Sequence, residues 1–238
     1  MSTRIASRAF AALLAAGLVS VGAASSATAQ GQPEKHAAPA QPAHKIKLEK
    51  VAKGGEIADQ ESLVGKKALD FTLTDTEGTE HTLSTYLGEG KIVVLEWFNP
   101  GCPYVVKHHE KHSTMRDLAS KYEDQGVVWL AVNSGPNETA EGNQSKREAW
   151  SIEYPVLLDS EGDVGKAYGS KNTPTMYVID KEGVIQYVGA IDSDASPSKL
   201  GDVNYVAQAL DAILADSNVE TAYSKPYGCN VKYKKTKG

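Results

Sequence analysis

The chain has 238 residues, a formal charge of −5 and only two cysteines. An acidic balance argues against nucleic acid as a partner. Downstream of the N-terminal region, no segment approaches the roughly 18 uninterrupted apolar residues that a membrane-spanning helix needs.

In chain order, Arg4 and Arg8 precede an apolar run from Ala9 to about Val21, and small residues follow at Ala27-Thr28-Ala29. This is the pattern of a secretory signal peptide, residues 1–29, with cleavage expected after Ala29. Its removal takes away two arginines and no acid, leaving a net charge of about −7. The mature protein is therefore expected to be exported, periplasmic or secreted, without a stable membrane span. Residues 30–62 begin with an Ala-, Pro-, Lys- and Gln-rich stretch that has no spaced apolar face, and are expected to be a linker. Residues 63–216 have the size and composition of one globular domain, and residues 217–238 form a C-terminal tail carrying Cys229.

Within the domain, "DFTLTDTEGTEHTLSTY" alternates around Glu77-Gly78 and predicts a hairpin. Nearly continuous apolar runs at 91–98 and 126–133 predict strands covered on both faces. Between them, Pro103 to Tyr122 repeats apolar residues at three- and four-residue steps without a glycine or a second proline, and predicts one helix. A helix at 145–151, a strand at 154–159, strands at 175–179 and 184–188 joined by Asp180-Lys181-Glu182-Gly183, and a last helix at 199–215 complete the order. Strand, helix, strand, then hairpin and helix make an α/β sandwich with a mixed sheet.

Cys102 falls where the first of those buried strands gives way to the long helix. Pro103 suits the first helical position, so Cys102 is the expected N-cap or its neighbour. There, unpaired N–H groups and the positive end of the helix favour an anion, which makes Cys102 a candidate nucleophile.

The blocks "GKKALDFTLTDTEG", "KIVVLEWFNPGCPY", "PVLLDSEGDVGKAYG" and "NTPTMYVIDKEGVIQYVG" resemble the thioredoxin superfamily, most closely its redoxin branch of alkyl hydroperoxide reductase and thiol-specific antioxidant proteins, over about residues 63–216. The resemblance implies a thioredoxin-like α/β/α sandwich with a central mixed β-sheet, and a thiol-dependent oxidoreductase of the disulfide-exchange or peroxiredoxin-like antioxidant kind. It implies no cofactor, and partners that are disulfide-containing proteins, small thiols or peroxides, with an electron donor left open.

The departures matter as much. Thioredoxin-type reductases carry a second cysteine three residues on, where this chain has Val105. Peroxiredoxins place a proline seven residues and a threonine or serine three residues before their cysteine, where Leu95 and Asn99 stand, and an arginine where Pro174 stands. Thr173-Pro174-Thr175 is similar to the cis-proline turn that faces the active cysteine, and puts Thr173, Pro103 and Tyr104 at the substrate position. Glu96, six residues before Cys102, matches the buried acid of thioredoxins and is expected to carry protons to or from a thiol.

Cys229 lies about 13 residues past the last predicted helix, a tether of roughly 40 Å when extended, long enough to reach Cys102. It is expected either to resolve a mixed disulfide on Cys102 or to form a static bridge. His108 and His112, four residues apart, are expected to share a helix face. With Cys102 they offer an alternative copper or zinc site, against a plainer reading in which Lys107, Glu110 and Lys111 mark a solvated face. A catalytically inactive binding module is the third reading.

Overall fold

In a computed structural model, described here for residues 46–235, the strand that organises the domain is Ile92–Trp97 (β3), whose six side chains are all buried. Successive side chains of a strand point to opposite faces. Accordingly Ile92 and Val94 enter one core with Val105, Met115, Trp129 and Leu210, while Val93, Leu95 and Trp97 enter the other with Leu83, Leu87, Leu130 and Tyr168. Burying each aliphatic residue contributes about 1.5–3 kcal/mol, so β3 is a firmly held frame for a site at its end.

Around it lie Thr72–Asp75 (β1), Glu80–Thr82 (β2), Leu83–Gly88 (α1), Pro103–Val106 (α2), Thr114–Glu123 (α3), Val127–Asn133 (β4), Ala140–Ala149 (α4), Val156–Leu158 (β5), Asp163–Ala167 (α5), Asn172–Thr173 (β6), Met176–Ile179 (β7), Ile185–Gly189 (β8), Tyr205–Leu214 (α6) and Cys229–Asn230 (β9). Seven strands form one sheet in the order β2-β1-β5-β4-β3-β7-β8. β3 pairs parallel with β4 and antiparallel with β7, so the sheet is mixed, as expected. The β7–β8 turn also forms where expected: Gly183 takes φ +79°, and Asp180 Oδ1 accepts a hydrogen bond from Val184 N at 2.8 Å.

Several expectations need correction. The helix predicted over 103–122 is interrupted: α2 passes into a π-helical segment, Lys107–Lys111, and Ser113 then adopts φ +53° before α3. A π turn inserts a residue into the helical repeat and shifts the faces of everything that follows. Lys107, His108 and His109 are all buried, so Lys107 is not part of the expected solvated face, whereas Glu110 and Lys111 are exposed as expected. The last helix starts at Tyr205 rather than 199, because Asn204 Oδ1 caps Ala207 N at 2.9 Å. Helix 145–151 is displaced to α4, capped by Thr139 at Gly142 N.

The linker expectation fails for its described part, with residues 30–45 outside the described range. Ile46, Leu48 and Val51 pack on the second core, and Asp70 exchanges backbone hydrogen bonds with Glu49 and Val51. The signal peptide expectation likewise falls outside the described residues.

A candidate redox site at the end of a buried strand

Cys102 has the extended backbone of an N-cap (φ −87°, ψ 123°), Pro103 occupies the first helical position, and Val106 N donates to Cys102 O at 2.9 Å. The approach is shaped by Asn99, which accepts from Gly101 N through its side chain and from Cys102 N through its carbonyl. The sulfur itself makes no capping hydrogen bond. Its thiol donates instead to Thr173 O, 3.1 Å away. With 2 % of its surface accessible, Cys102 is covered.

Thr173 precedes Pro174 through a cis peptide bond, and the turn is bound to the end of β3 by Trp97 N, which donates to Thr175 O at 2.8 Å. Thr173 O therefore meets Cys102, with the cis peptide to Pro174 directly after it. The outer edge of this turn is not open, however. The tail returns to pair antiparallel with it, Thr173 opposite Cys229 and Asn172 opposite Asn230, and Val231 N donates to Lys171 O at 2.9 Å.

Cys229 thus reaches the site, and both cysteines are free thiols. Partial burial, then a hydrogen bond with Cys102 and that sulfur's charge, push the Cys229 thiol up to about 12. The residue before it, Gly228, has φ +120°, and a Cβ there would run into the Thr173 carbonyl and the Pro174 ring. Tyr104, the other predicted contact, packs its ring 5.9 Å from that of Tyr227. Pro103 is exposed at the helix start.

Glu96 is fully buried, and its hydrogen bonds go to residues other than Cys102. Its Oε1 accepts from His109 Nε2 at 2.6 Å, and its Oε2 accepts from Trp129 Nε1 at 3.2 Å and Tyr154 Oη at 3.1 Å. No hydrogen bond joins Glu96 to Cys102, so the expected proton carrier is, by its contacts, the centre of a buried polar network. His109 completes it by stacking on Trp150, ring centroids 5.3 Å apart.

The alternative metal site does not assemble. His108 Nε2 donates to Tyr227 Oη at 2.9 Å, His112 Nε2 to Ser198 O at 3.0 Å, and Cys102 turns to Thr173. Among the described residues no three His, Cys, Asp or Glu side chains converge as metal ligands. Burial, reinforced by the charges of Lys107, His109 and His112 and opposed by Asp192, brings His108 down to about 3. Near neutral pH it is a neutral imidazole.

Sequence reasoning missed Tyr227, Lys107 and Asp192. Tyr227 Oη donates to Asp192 Oδ1 at 2.5 Å, and Lys107, with no accessible surface, donates to Asp192 Oδ1 at 3.3 Å and Asp194 O at 2.7 Å. The only signal was an aromatic residue two positions before a cysteine.

The chain is 36 % identical over 126 residues to the thiol-disulfide oxidoreductase ResA of Geobacillus thermodenitrificans, an alignment spanning 52 % of this chain and 68 % of that protein. Crystal structures of a hypothetical protein from Sinorhizobium meliloti (31 % identity, TM-score 0.65, covering 72 % of this chain and 94 % of that one) and of an uncharacterized protein from Geobacillus kaustophilus (30 %, 0.63, 73 % and 94 %) share the fold. The AhpC/TSA family model matches residues 64–188, a stretch that holds Glu96, Cys102 and Pro174 and ends before Tyr227 and Cys229. More than half of the sequence being matched in this way, the chain belongs to the AhpC/TSA family.

Proposed function

We propose that the protein is a thiol-disulfide oxidoreductase in which Cys102 is the nucleophile and Cys229 the resolving thiol. The observation that carries this reading is the meeting of both cysteines at one carbonyl: Cys102 Sγ lies 3.1 Å from Thr173 O, and Thr173 is the strand partner of Cys229. The thiolate of Cys102 attacks one sulfur of a substrate disulfide, and the other sulfur leaves and takes up a proton. Cys229 then gives up its proton and attacks Cys102 Sγ, expelling the second substrate thiol. The substrate gains two electrons and two protons, the protein is left with a Cys102–Cys229 disulfide, and an external dithiol returns it to the reduced state.

The high position of the Cys229 thiol orders these steps. Two of its causes, the hydrogen bond with Cys102 and the charge of Cys102, exist only while that sulfur is unmodified. In the mixed disulfide both are gone and burial is opposed by the nearby Lys232 charge, so Cys229 becomes a better attacker after Cys102 has reacted. Peroxide chemistry is the weaker reading, because Leu95, Asn99 and Pro174 stand where peroxiredoxins hold the proline, hydroxyl and arginine that activate a peroxide.

Export fits this chemistry: residues 1–29 act as a signal removed after Ala29, and the mature chain works outside the cytoplasm on disulfide-containing proteins. N-terminal sequencing of the mature protein tests the cleavage. The activity is tested by reduction of a peptide disulfide with dithiothreitol as donor. Cys102→Ser must lose it while remaining folded, and Cys229→Ser, mixed with the peptide disulfide in the absence of dithiothreitol, must accumulate the mixed disulfide, seen as added mass on Cys102. Activity of Cys102→Ser equal to that of the unaltered protein would overturn the reading.

A further inference from the structure

The segment that covers Cys102 is the chain's own tail, and it is bound in the manner of a peptide ligand. An extended peptide adds to a free strand edge through its main chain, while pockets for individual side chains give selectivity. Here the main-chain part is the β6–β9 pairing, extended by Val231 N on Lys171 O and by Asn172 Nδ2, which donates to Gly228 O at 3.3 Å.

Three subsites read the side chains. Tyr227 enters a pocket formed by Tyr104, Lys107, His108 and Asp192: its hydroxyl donates to Asp192 and accepts from His108 Nε2, and the Lys107 ammonium lies 5.0 Å from its ring centroid. The next position has room only for glycine, because the Thr173 carbonyl and Pro174 Cδ fill the space of a side chain. The third places a sulfur beside Cys102. Further along, Tyr233 donates to Ser170 O, lies over the two glycines Gly162 and Gly165, and has the Lys166 ammonium 5.8 Å from its ring centroid.

We propose that this groove is a recognition site for an extended protein segment with tyrosine two residues before, and glycine immediately before, the reactive cysteine, and that the tail holds it in cis until such a segment replaces it. The proposal rests on the reading of Cys102 as the reacting sulfur and adds the partner that sulfur meets. Lys107 and Asp192 acquire a reason for being buried together: they form the polar floor against which a phenol is recognised.

A short tether presents its own segment at an effective concentration in the millimolar range. A free peptide of the same sequence at micromolar concentration therefore competes weakly with the seated tail, and only a tighter-binding segment replaces it. The test uses the full chain and a fluorescein-labelled peptide, Lys-Pro-Tyr-Gly-Ser-Asn-Val-Lys-Tyr-Lys-Lys, which copies the tail with serine in place of cysteine so that no disulfide forms. Anisotropy should show at least tenfold tighter binding to Gly228→Val, whose tail cannot seat, than to the unaltered chain. Tyr227→Ala, which empties the aromatic pocket without straining the backbone, should also bind, and guards against misfolding of the first variant. Peptides with alanine for tyrosine or for glycine should bind at least tenfold more weakly. Equal binding to all three proteins, no binding to either variant, or indifference to the two alanine peptides would overturn the proposal. Because the peptide has no thiol, binding is read independently of turnover, and an inactive Cys102 would leave this result unchanged.

Discussion

His109 Nε2 lies 2.6 Å from Glu96 Oε1, and neither residue exposes more than 4 % of its surface. Both His109 and its neighbour His108 lie buried in the π segment, each with its own hydrogen-bond partner. Removing one member of such a buried pair leaves the other unsatisfied, at a cost of about 3–5 kcal/mol. Glu96→Ala also strands Trp129 Nε1 and Tyr154 Oη. Its urea midpoint should fall accordingly, and Glu96→Gln, which keeps an acceptor for one donor, should lose less. Full stability of Glu96→Ala would show that the network does not hold the strand end to the helix.

The pairing of Cys229 with Cys102 has a spectroscopic consequence. Burial, the hydrogen bond with Cys102 and the charge of Cys102 raise the second thiol, against the opposing charge of Lys232, to about 12. In Cys102→Ser the charge is gone, so thiolate absorbance at 240 nm should appear at lower pH, between about 8.5 and 12. A titration still centred near 12 would mean that Cys229 does not respond to its partner, and the ordering of the two attacks would lose its basis.

Acid sensitivity should trace to His108. Its folded value near 3 lies below the ordinary 6.5, so the unfolded chain binds the extra proton and stability rises with pH between these values. The contribution vanishes above 6.5 and becomes a penalty as pH falls, at up to about 1.4 kcal/mol per pH unit. At pH 4.5 the penalty from this group is about 2–3 kcal/mol. His108→Gln retains a polar partner for Tyr227 without titrating, so its urea midpoint should fall less than that of the unaltered protein between pH 7 and pH 4.5. Parallel curves for the two proteins would remove His108 from the account.

How much of this could be read beforehand divides along physical lines. The strands and the Cys102 elbow were legible because burial on both faces leaves continuous apolar runs, and because Pro103 marks the helix start. Glu96 stood out as an acid in such a run, but its partner did not. The π turn and the reversal at Ser113 leave the three- and four-residue spacing of apolar residues intact, so nothing in the pattern announces them, and Lys107 looked like any solvated lysine. The tail was legible in reach only: Thr173 becomes a strand edge through the tertiary fold, and the polar residues around Cys229 carry no period that predicts their partner.

Val105 offers the last test, since it occupies the place of the second cysteine in thioredoxin-type motifs. It is fully buried three residues after Cys102, and residues three apart in a helix have Cβ atoms about 5–6 Å apart, within range for a disulfide after modest adjustment. If Cys229 supplies the resolving thiol that this position lacks, Val105→Cys in a Cys229→Ser background should restore multiple-turnover reduction of a peptide disulfide. The smaller side chain costs about 1 kcal/mol of packing, which the fold tolerates. The restored protein should also form a 102–105 disulfide, seen as the loss of two mass units on oxidation. Turnover that stays absent while that disulfide forms would mean that Cys229 contributes more than a sulfur, and would place the weight on the strand it belongs to.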